Sequence, residues 1–122
     1  MEINTLGLTA AVTAFITIWA GHVAVRKIEF ASPAISIPVA GSILLGLITE
    51  YYSLITDNLH LKVALGIFGV TLLWDAFEFI RQQKRIRKGH APANPNNPRH
   101  AKILAEFPSA TTQDLLKREP NH

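Results

Sequence analysis

Residues 59–89 decide the fold, and they read LHLKVALGIFGVTLLWDAFEFIRQQKRIRKG. The first half of this stretch is apolar, and five basic residues follow between Arg81 and Lys88. No Pro or Gly stands between Thr71 and Lys88, so one unbroken helix is predicted across the change in polarity. Gly89 is placed to end that helix. The pattern predicts a membrane span that continues into a basic, water-facing helix, within an all-α protein.

The composition is typical of a small membrane protein. Apolar residues make up 48% of the 122 and are concentrated before residue 80, whereas charged residues make up 17%. A chain of this length forms one compact unit. The absence of Cys excludes disulfides and thiolate metal sites. The basic residues flank predicted spans, which explains the net charge of +3 without a nucleic-acid partner.

The first predicted span covers residues 4–25, which are uncharged and long enough to cross a ~30 Å hydrocarbon layer. The basic residues follow the C-terminal end of this segment, whereas a signal peptide has them at its N-terminal end. We therefore interpret the segment as a retained helix. Small hydroxyl residues and a glycine recur every four positions, at Thr5, Thr9, Thr13, Thr17 and Gly21. This face is either a helix-packing seam or the polar lining of an ion or proton route. Hydroxyls carry no titratable group, which favours the seam.

The second predicted span covers residues 31–54. Pro33 fits the first turn of a helix, and Pro38 is expected to kink the span. Ser42 and Gly46 form a small-xxx-small pair, which indicates close helix packing.

The distribution of basic residues predicts an orientation. Eleven of the twelve Lys and Arg fall on the side of the first loop and the C-terminal tail, and only Lys62 falls on the other. The positive-inside rule then places the N-terminus outside and the C-terminus in the cytoplasm. Glu50, with the two tyrosines after it, is expected at the outer interface.

The predicted domain division is a three-helix transmembrane domain over residues 1–89 and a cytoplasmic tail over residues 90–122. Prolines at every third position favour an extended, polyproline-like run over residues 90–99. Short amphipathic helices are expected at 100–107 and 109–118. Both are too short to be stable without a partner surface.

The five histidines lack the spacing of a metal or haem site. His22 and His60 lie on opposite sides of the predicted bilayer, and His90, His100 and His122 lie in the tail. We interpret His22 as an interfacial residue and the others as solvated, and we expect no cofactor. A haem-bearing redox subunit, with His22 and a ligand from another chain, is an alternative.

Asp75 and Glu78 are three residues apart at the inner edge of the third span. Ionisable groups at membrane depth are candidates for function. A structural role is favoured over proton handling, because Glu78 can pair with Arg81 one turn on. Asp75 can pair with Arg26 or His22 from the first span. The chain contains no Ser-His-Asp set or phosphate loop, so we expect no enzyme.

Two runs carry a family resemblance. They are Gly21-His22-x-x-Val25-Arg26-x-x-Glu29-Phe30 and Leu73-Trp74-x-x-x-Glu78-x-x-x-Gln82-x-x-Arg85-x-x-Lys88-Gly89-His90-x-Pro92-x-Asn94-Pro95. The pattern, within residues 6–99, resembles an uncharacterised family of small bacterial membrane proteins, a domain of unknown function. Val23 stands where that family has Pro, and the tail is longer than the family core. The resemblance implies three spans in a bacterial inner membrane and carries no activity.

These features favour a non-catalytic accessory or interaction subunit of a larger membrane complex. Its expected partners are other membrane subunits or a second copy, together with anionic lipids. The residues expected at docking or membrane-interface positions are His22, Arg26, Glu29, Trp74, Asp75, Glu78, Arg81, Gln82, Arg85, Lys88, His90, Pro92, Asn94 and Pro95. The alternative is a small oligomeric ion or proton transporter that uses the threonine face with Asp75 and Glu78.

Overall fold

The chain is all-α, as predicted. A computed structural model describes residues 3–114, and within that range it contains no strand. The helices are α1 (Thr5–Ala31), α2 (Ser36–Ile55), α3 (Leu59–Arg87) and α4 (Pro98–Glu106). The first three are long and apolar enough to cross a membrane, so the prediction of three spans is confirmed. This is the architecture of a small multi-pass membrane protein.

α1 continues six residues past the predicted end of the first span. Arg26, Lys27 and Glu29, which were predicted to lead into a loop, therefore lie on its last two turns. Nothing in the sequence breaks the helix before Pro33. The residue that precedes a proline is disfavoured in the α region, which is why the helix ends at Ala31.

α2 begins five residues later than predicted. Pro33 consequently lies in the connection between α1 and α2, and Pro38 lies in the first turn of α2. A first-turn proline is tolerated because the N–H that it lacks would have no acceptor within the helix. The predicted kink at Pro38 is therefore wrong.

α3 packs against both α1 and α2, whereas α1 and α2 barely touch one another. The three helices form an open layer with α3 in the middle. The side of α3 that faces α2 includes Gly66, Gly69 and Leu73. The side that faces α1 includes His60 and Asp75. Both broad faces of the layer are exposed.

Small residues bring the backbones of α2 and α3 together. Ser42 and Gly46 are both buried on α2. A methyl group at Gly46 would lie 2.7 Å from Cγ of Leu73 and 3.0 Å from the carbonyl oxygen of Gly69. Contact at this distance is possible only where one helix presents no side chain.

The close approach of α2 and α3 also buries a carboxyl group. A methyl group at Gly69 would overlap the carboxyl of Glu50, whose Oε1 is buried with no hydrogen-bond partner in the described part of the chain. The placement of Glu50 at the outer interface stays a prediction. Long side chains on a helix lean toward its N-terminus, which places this carboxyl deeper along α2 than its own Cα.

Gly46→Ala tests this packing, with Gly41→Ala on the same helix as its matched control. We expect Gly46→Ala to lower the free energy of unfolding in detergent by about 1–3 kcal/mol, because Leu73 and the α3 backbone must move. Gly41 has no neighbour within 4 Å of an added methyl group, so alanine there should be neutral or stabilising by up to ~1 kcal/mol. Equal effects of the two changes would contradict the packing.

α3 ends at Arg87 with Lys88 as its C-cap, and Gly89 stands at the C′ position, as predicted. Gly89 has φ of 79°, a left-handed conformation that favours glycine. Its N–H donates to the carbonyl of Ile86, and the N–H of His90 donates to the carbonyl of Arg85 at 2.8 Å. These two bonds form the Schellman arrangement, which turns the chain away from the helix axis.

The tail that follows folds back on α3 and α1. Its proline-rich run is not continuously extended as predicted, because the N–H of Asn97 donates to the carbonyl of Asn94 at 3.0 Å and closes a turn. α4 then starts at Pro98, close to where a short helix is predicted. Residues 109–114 contain no helix, and the rest of the helix predicted at 109–118 lies outside the described residues.

A small apolar cluster holds the tail in place. Its buried members are Ile86 of α3, Ala93 of the connection that follows, and Ile103 of α4. Phe107 packs against the cluster, and the guanidinium of Arg87 lies over its ring, 5.1 Å from the centroid. The partner surface that α4 needs is therefore the end of α3 itself.

Candidate functional site

The most highly connected polar cluster lies at the end of the layer where α1 and α3 end and α2 begins, which we call the basic end. Its centre is Glu29, whose carboxylate is fully buried. Nη1 of Arg99 lies 2.7 Å from Oε2 of Glu29 and also donates to Gln83 at 2.6 Å. Nε2 of His100 lies 3.0 Å from Oε1 of Glu29. The tail therefore supplies both partners of a buried charge on α1.

The hydrogen bonds of His100 define its tautomer. The N–H of Asn94 donates to Nδ1 of His100 at 2.8 Å, so Nδ1 carries no hydrogen. The imidazole is then neutral, and Nε2–H donates to Glu29. His100 is fully buried, so its interpretation as a solvated tail residue is wrong. Its acceptor is 71 residues away in the chain, and no local spacing indicates the pair.

The tail also satisfies the last carbonyl groups of α1. Nη2 of Arg99 donates to the carbonyl of Glu29 at 2.6 Å. Nδ2 of Asn97 donates to the carbonyls of Phe30 and Ser32 at 3.0 and 2.9 Å. The last carbonyl groups of a helix have no N–H donor within the helix, so they need donors from elsewhere. A cation at this end also interacts favourably with the helix dipole. The tail therefore serves as a C-terminal cap for α1.

Glu29→Gln tests whether this cluster holds the tail. The change leaves the largely buried Arg99 without its counter-charge, which costs about 3–5 kcal/mol in comparable buried pairs. We expect faster hydrogen exchange of the Asn94 amide and faster proteolysis of residues 88–98. The matched control is Glu106→Gln, which removes an exposed carboxylate 3.9 Å from Lys102. An exposed ion pair of this kind contributes about 0–1 kcal/mol to the free energy of unfolding. Unchanged exchange in Glu29→Gln would contradict the cap.

A second polar group lies where α1 and α3 meet. The carboxylate of Asp75 lies against the backbone of α1 at Gly21, where an added methyl group would be 3.1 Å from Oδ1. Asp75 forms no hydrogen bond or salt bridge within residues 3–114, so the predicted pairing with Arg26 is wrong. His22, the other predicted partner, is close enough to interact electrostatically with the Asp75 carboxylate. Glu78 accepts from Nη1 of Arg81 at 3.1 Å, the pairing that its spacing predicts.

Two open grooves flank the contact between α1 and α3, one on each face of the layer. The threonine groove, of about 500 Å³, is lined by residues that include Thr13, Thr17, Ala20, Ala24, Phe68 and Asp75. The tryptophan groove, also of about 500 Å³, is lined by residues that include Ile18, His22, Val70, Trp74, Phe77 and Glu78. Asp75 reaches both grooves.

The threonine face of α1 divides into two parts. At the end opposite the basic end, Oγ1 of Thr9 lies 2.9 Å from Nδ1 of His60, and Oγ1 of Thr5 lies 3.4 Å from Nε2. His60 is therefore hydrogen-bonded to α1, although its side chain stays exposed. Further along, Thr13 and Thr17 line the threonine groove. The face thus packs at one end and borders open space at the other.

The remaining predicted site residues fall near the basic end. Arg81, Arg85, Lys88 and His90 line a shallow basic pocket with Lys84. Pro92, Asn94 and Pro95 lie in the tail. Within residues 3–114, no group of three or more His, Asp or Glu side chains is placed to hold a metal ion.

Sequence reasoning missed Asn97, Arg99 and His100. One local signal was present, because Asn followed by Pro is typical of a helix start: Asn97 caps α4, and its side chain accepts from the N–H of Arg99 at 3.0 Å. That signal predicts the helix. It does not predict the contact with α1.

The fold and these polar clusters define a small three-span membrane protein whose tail folds back on its first and third helices. The family model for a domain of unknown function, DUF4491, matches residues 4–97, and the chain belongs to that family. The family resemblance seen in the sequence is thereby confirmed. No curated protein and no solved structure matches the chain significantly.

Proposed function

We propose that this protein is a non-catalytic accessory or interaction subunit of a larger complex in a bacterial inner membrane. Its N-terminus would lie outside and its C-terminus in the cytoplasm. The threonine groove would receive a helix of a partner subunit or of a second copy.

The observation that carries this proposal is the carboxylate of Asp75, which lines the threonine groove and has no hydrogen bond or salt bridge within residues 3–114. A carboxylate within a span is costly unless it is paired. Lipid tails offer no hydrogen-bond donor, whereas a partner helix can offer a hydroxyl, amide or basic side chain. Ala20, Gly21 and Ala24 line the same groove, and small residues allow a second helix to approach closely.

The exposure of α1 supports the same conclusion. Only 6% of its apolar window is buried within the chain, against 22% for α2 and α3. α1 therefore gains little from packing inside the protein, although it carries the threonine and small-residue face that favours helix association.

Ala20→Leu tests the groove as a docking site, with Ala11→Leu as its matched control. Position 11 is nine residues away, on the opposite side of α1 at 100° per residue. We expect the tagged wild-type protein, purified in mild detergent, to retain defined membrane partners or a second copy. Ala20→Leu should reduce that retention about tenfold or more, since a leucine fills the groove, and Ala11→Leu should leave it unchanged.

Recovery of the wild-type protein as a monomer would contradict the accessory role. An absorbance spectrum of the same sample tests the haem alternative, because a haem subunit would show a visible band.

The proposed orientation has its own test, and a chain without cysteine gives no background labelling. We expect Asp57→Cys, between α2 and α3, to react with a membrane-impermeant maleimide in intact cells. Lys102→Cys, on the exposed side of α4, should react only after the membrane is opened. The reverse pattern would overturn the orientation.

Ion or proton transport is the second candidate, and the buried Glu50 carboxyl favours it. Oε1 of Glu50 has no hydrogen-bond partner within residues 3–114, and Asp75 is a second carboxyl group on a spanning helix without a hydrogen bond or salt bridge there. If the protein transports protons or ions, Glu50→Gln or Asp75→Asn should abolish flux in proteoliposomes while assembly stays intact. Absence of flux in the wild type would exclude this candidate.

A further inference from the structure

A second pocket, of different chemistry, adjoins the tryptophan groove at the basic end. This pocket has a volume of about 160 Å³ and shares His22 and Glu78 with the groove. Its other lining residues include Arg26, Gln82 and Arg85. An apolar groove therefore lies next to a polar pocket that two arginines line.

The cations of this pocket are available to an anion. Arg26 is exposed and has no acceptor for its guanidinium among residues 3–114. Nη1 of Arg85 donates to Oε1 of the buried Gln82 at 3.0 Å, which fixes the guanidinium and leaves its other donors open. The nearby carboxylate of Glu78 is already paired with Arg81 at 3.1 Å.

The surface beyond the pocket is basic as well. Arg85 also lines the shallow pocket formed with Lys84, Lys88 and His90. Cations therefore outnumber carboxylates around the polar pocket, and they lie where α3 leaves its apolar segment. Basic pockets between transmembrane helices are typical sites for anionic lipid headgroups.

We propose that the tryptophan groove and the polar pocket together bind one anionic phospholipid. An acyl chain would lie along Val70, Trp74 and Phe77, and the phosphate would accept hydrogen bonds from Arg26 and Arg85. Along α3, Val70 to Gln82 spans twelve residues, or about 18 Å. That distance is close to the ~15 Å depth of one leaflet of a ~30 Å hydrocarbon core.

A phospholipid matches both cavities, because its acyl chain fits the apolar groove and its phosphate fits the pocket lined by arginines. A free phosphate would satisfy the arginines and leave the groove open. A partner helix would also fill the groove. It would then have to place an acidic group beside Arg26 and Arg85, where it would meet the like charge of Glu78. This lipid site goes beyond the accessory role and does not depend on it, since the threonine groove lies on the other face of the layer.

Native mass spectrometry from detergent tests the site, with phosphatidylglycerol and phosphatidylcholine as the added lipids. We expect one phosphatidylglycerol to remain bound per chain, in preference to phosphatidylcholine. The double variant Arg26→Gln/Arg85→Gln should weaken its retention by at least about tenfold, because each basic residue near a headgroup contributes substantially. The control Lys27→Gln/Lys102→Gln removes the same charge from exposed positions outside the pocket and should retain the lipid.

Val70→Trp provides a second variant that changes no charge. It should reduce lipid retention by filling the groove, while thermal unfolding of the lipid-free protein stays cooperative. Equal binding of the two lipids would overturn the proposal. So would a loss in the Lys27/Lys102 control as large as that in the arginine variant, or displacement of the lipid by glycerol phosphate alone.

Discussion

The buried carboxylate of Glu29 is the constraint on which the basic end depends. An unpaired charge in such a position would cost several kcal/mol, so the tail must come back to supply Arg99 and His100. The same return places Asn97 against the last carbonyls of α1. One buried charge thus explains why a polar, proline-rich segment is ordered against two apolar helices.

α3 is the helix against which both other spans pack, and its two sides differ in how closely they pack. Toward α2, glycines allow backbone contact between Gly46 and Gly69, so that interface is closed. Toward α1, the packing is more open, and Asp75 lines both of the grooves that flank the contact. The closed side stabilises the protein. The open side offers the surfaces at which a partner and a lipid can bind, which is why we place the function there.

The parts of the structure governed by local chemistry were predictable from the sequence. Hydropathy predicts the three spans, and Gly89 marks the end of α3, because both depend on neighbouring residues. The Glu29–Arg99–His100 cluster was not predictable, because its members are 70 residues apart and each resembles an ordinary surface residue. The burial of Glu50 depends on the register of α2 against α3, which only the position of Gly69 reveals. The predicted salt bridge between Asp75 and Arg26 is absent from the described residues for the same reason, since the Asp75 carboxylate lies against Gly21.

The most direct test of the central claim is photocrosslinking from the two faces of the bundle in living cells. Phe68 lines the threonine groove, whereas Phe15 is exposed on α1 and lies outside it. A photoreactive phenylalanine analogue at each position compares the two surfaces with minimal change in shape. The accessory-subunit account predicts protein adducts of defined mass from position 68 and none from position 15. If position 68 yields no protein adduct, the groove is not a docking site and the account is contradicted.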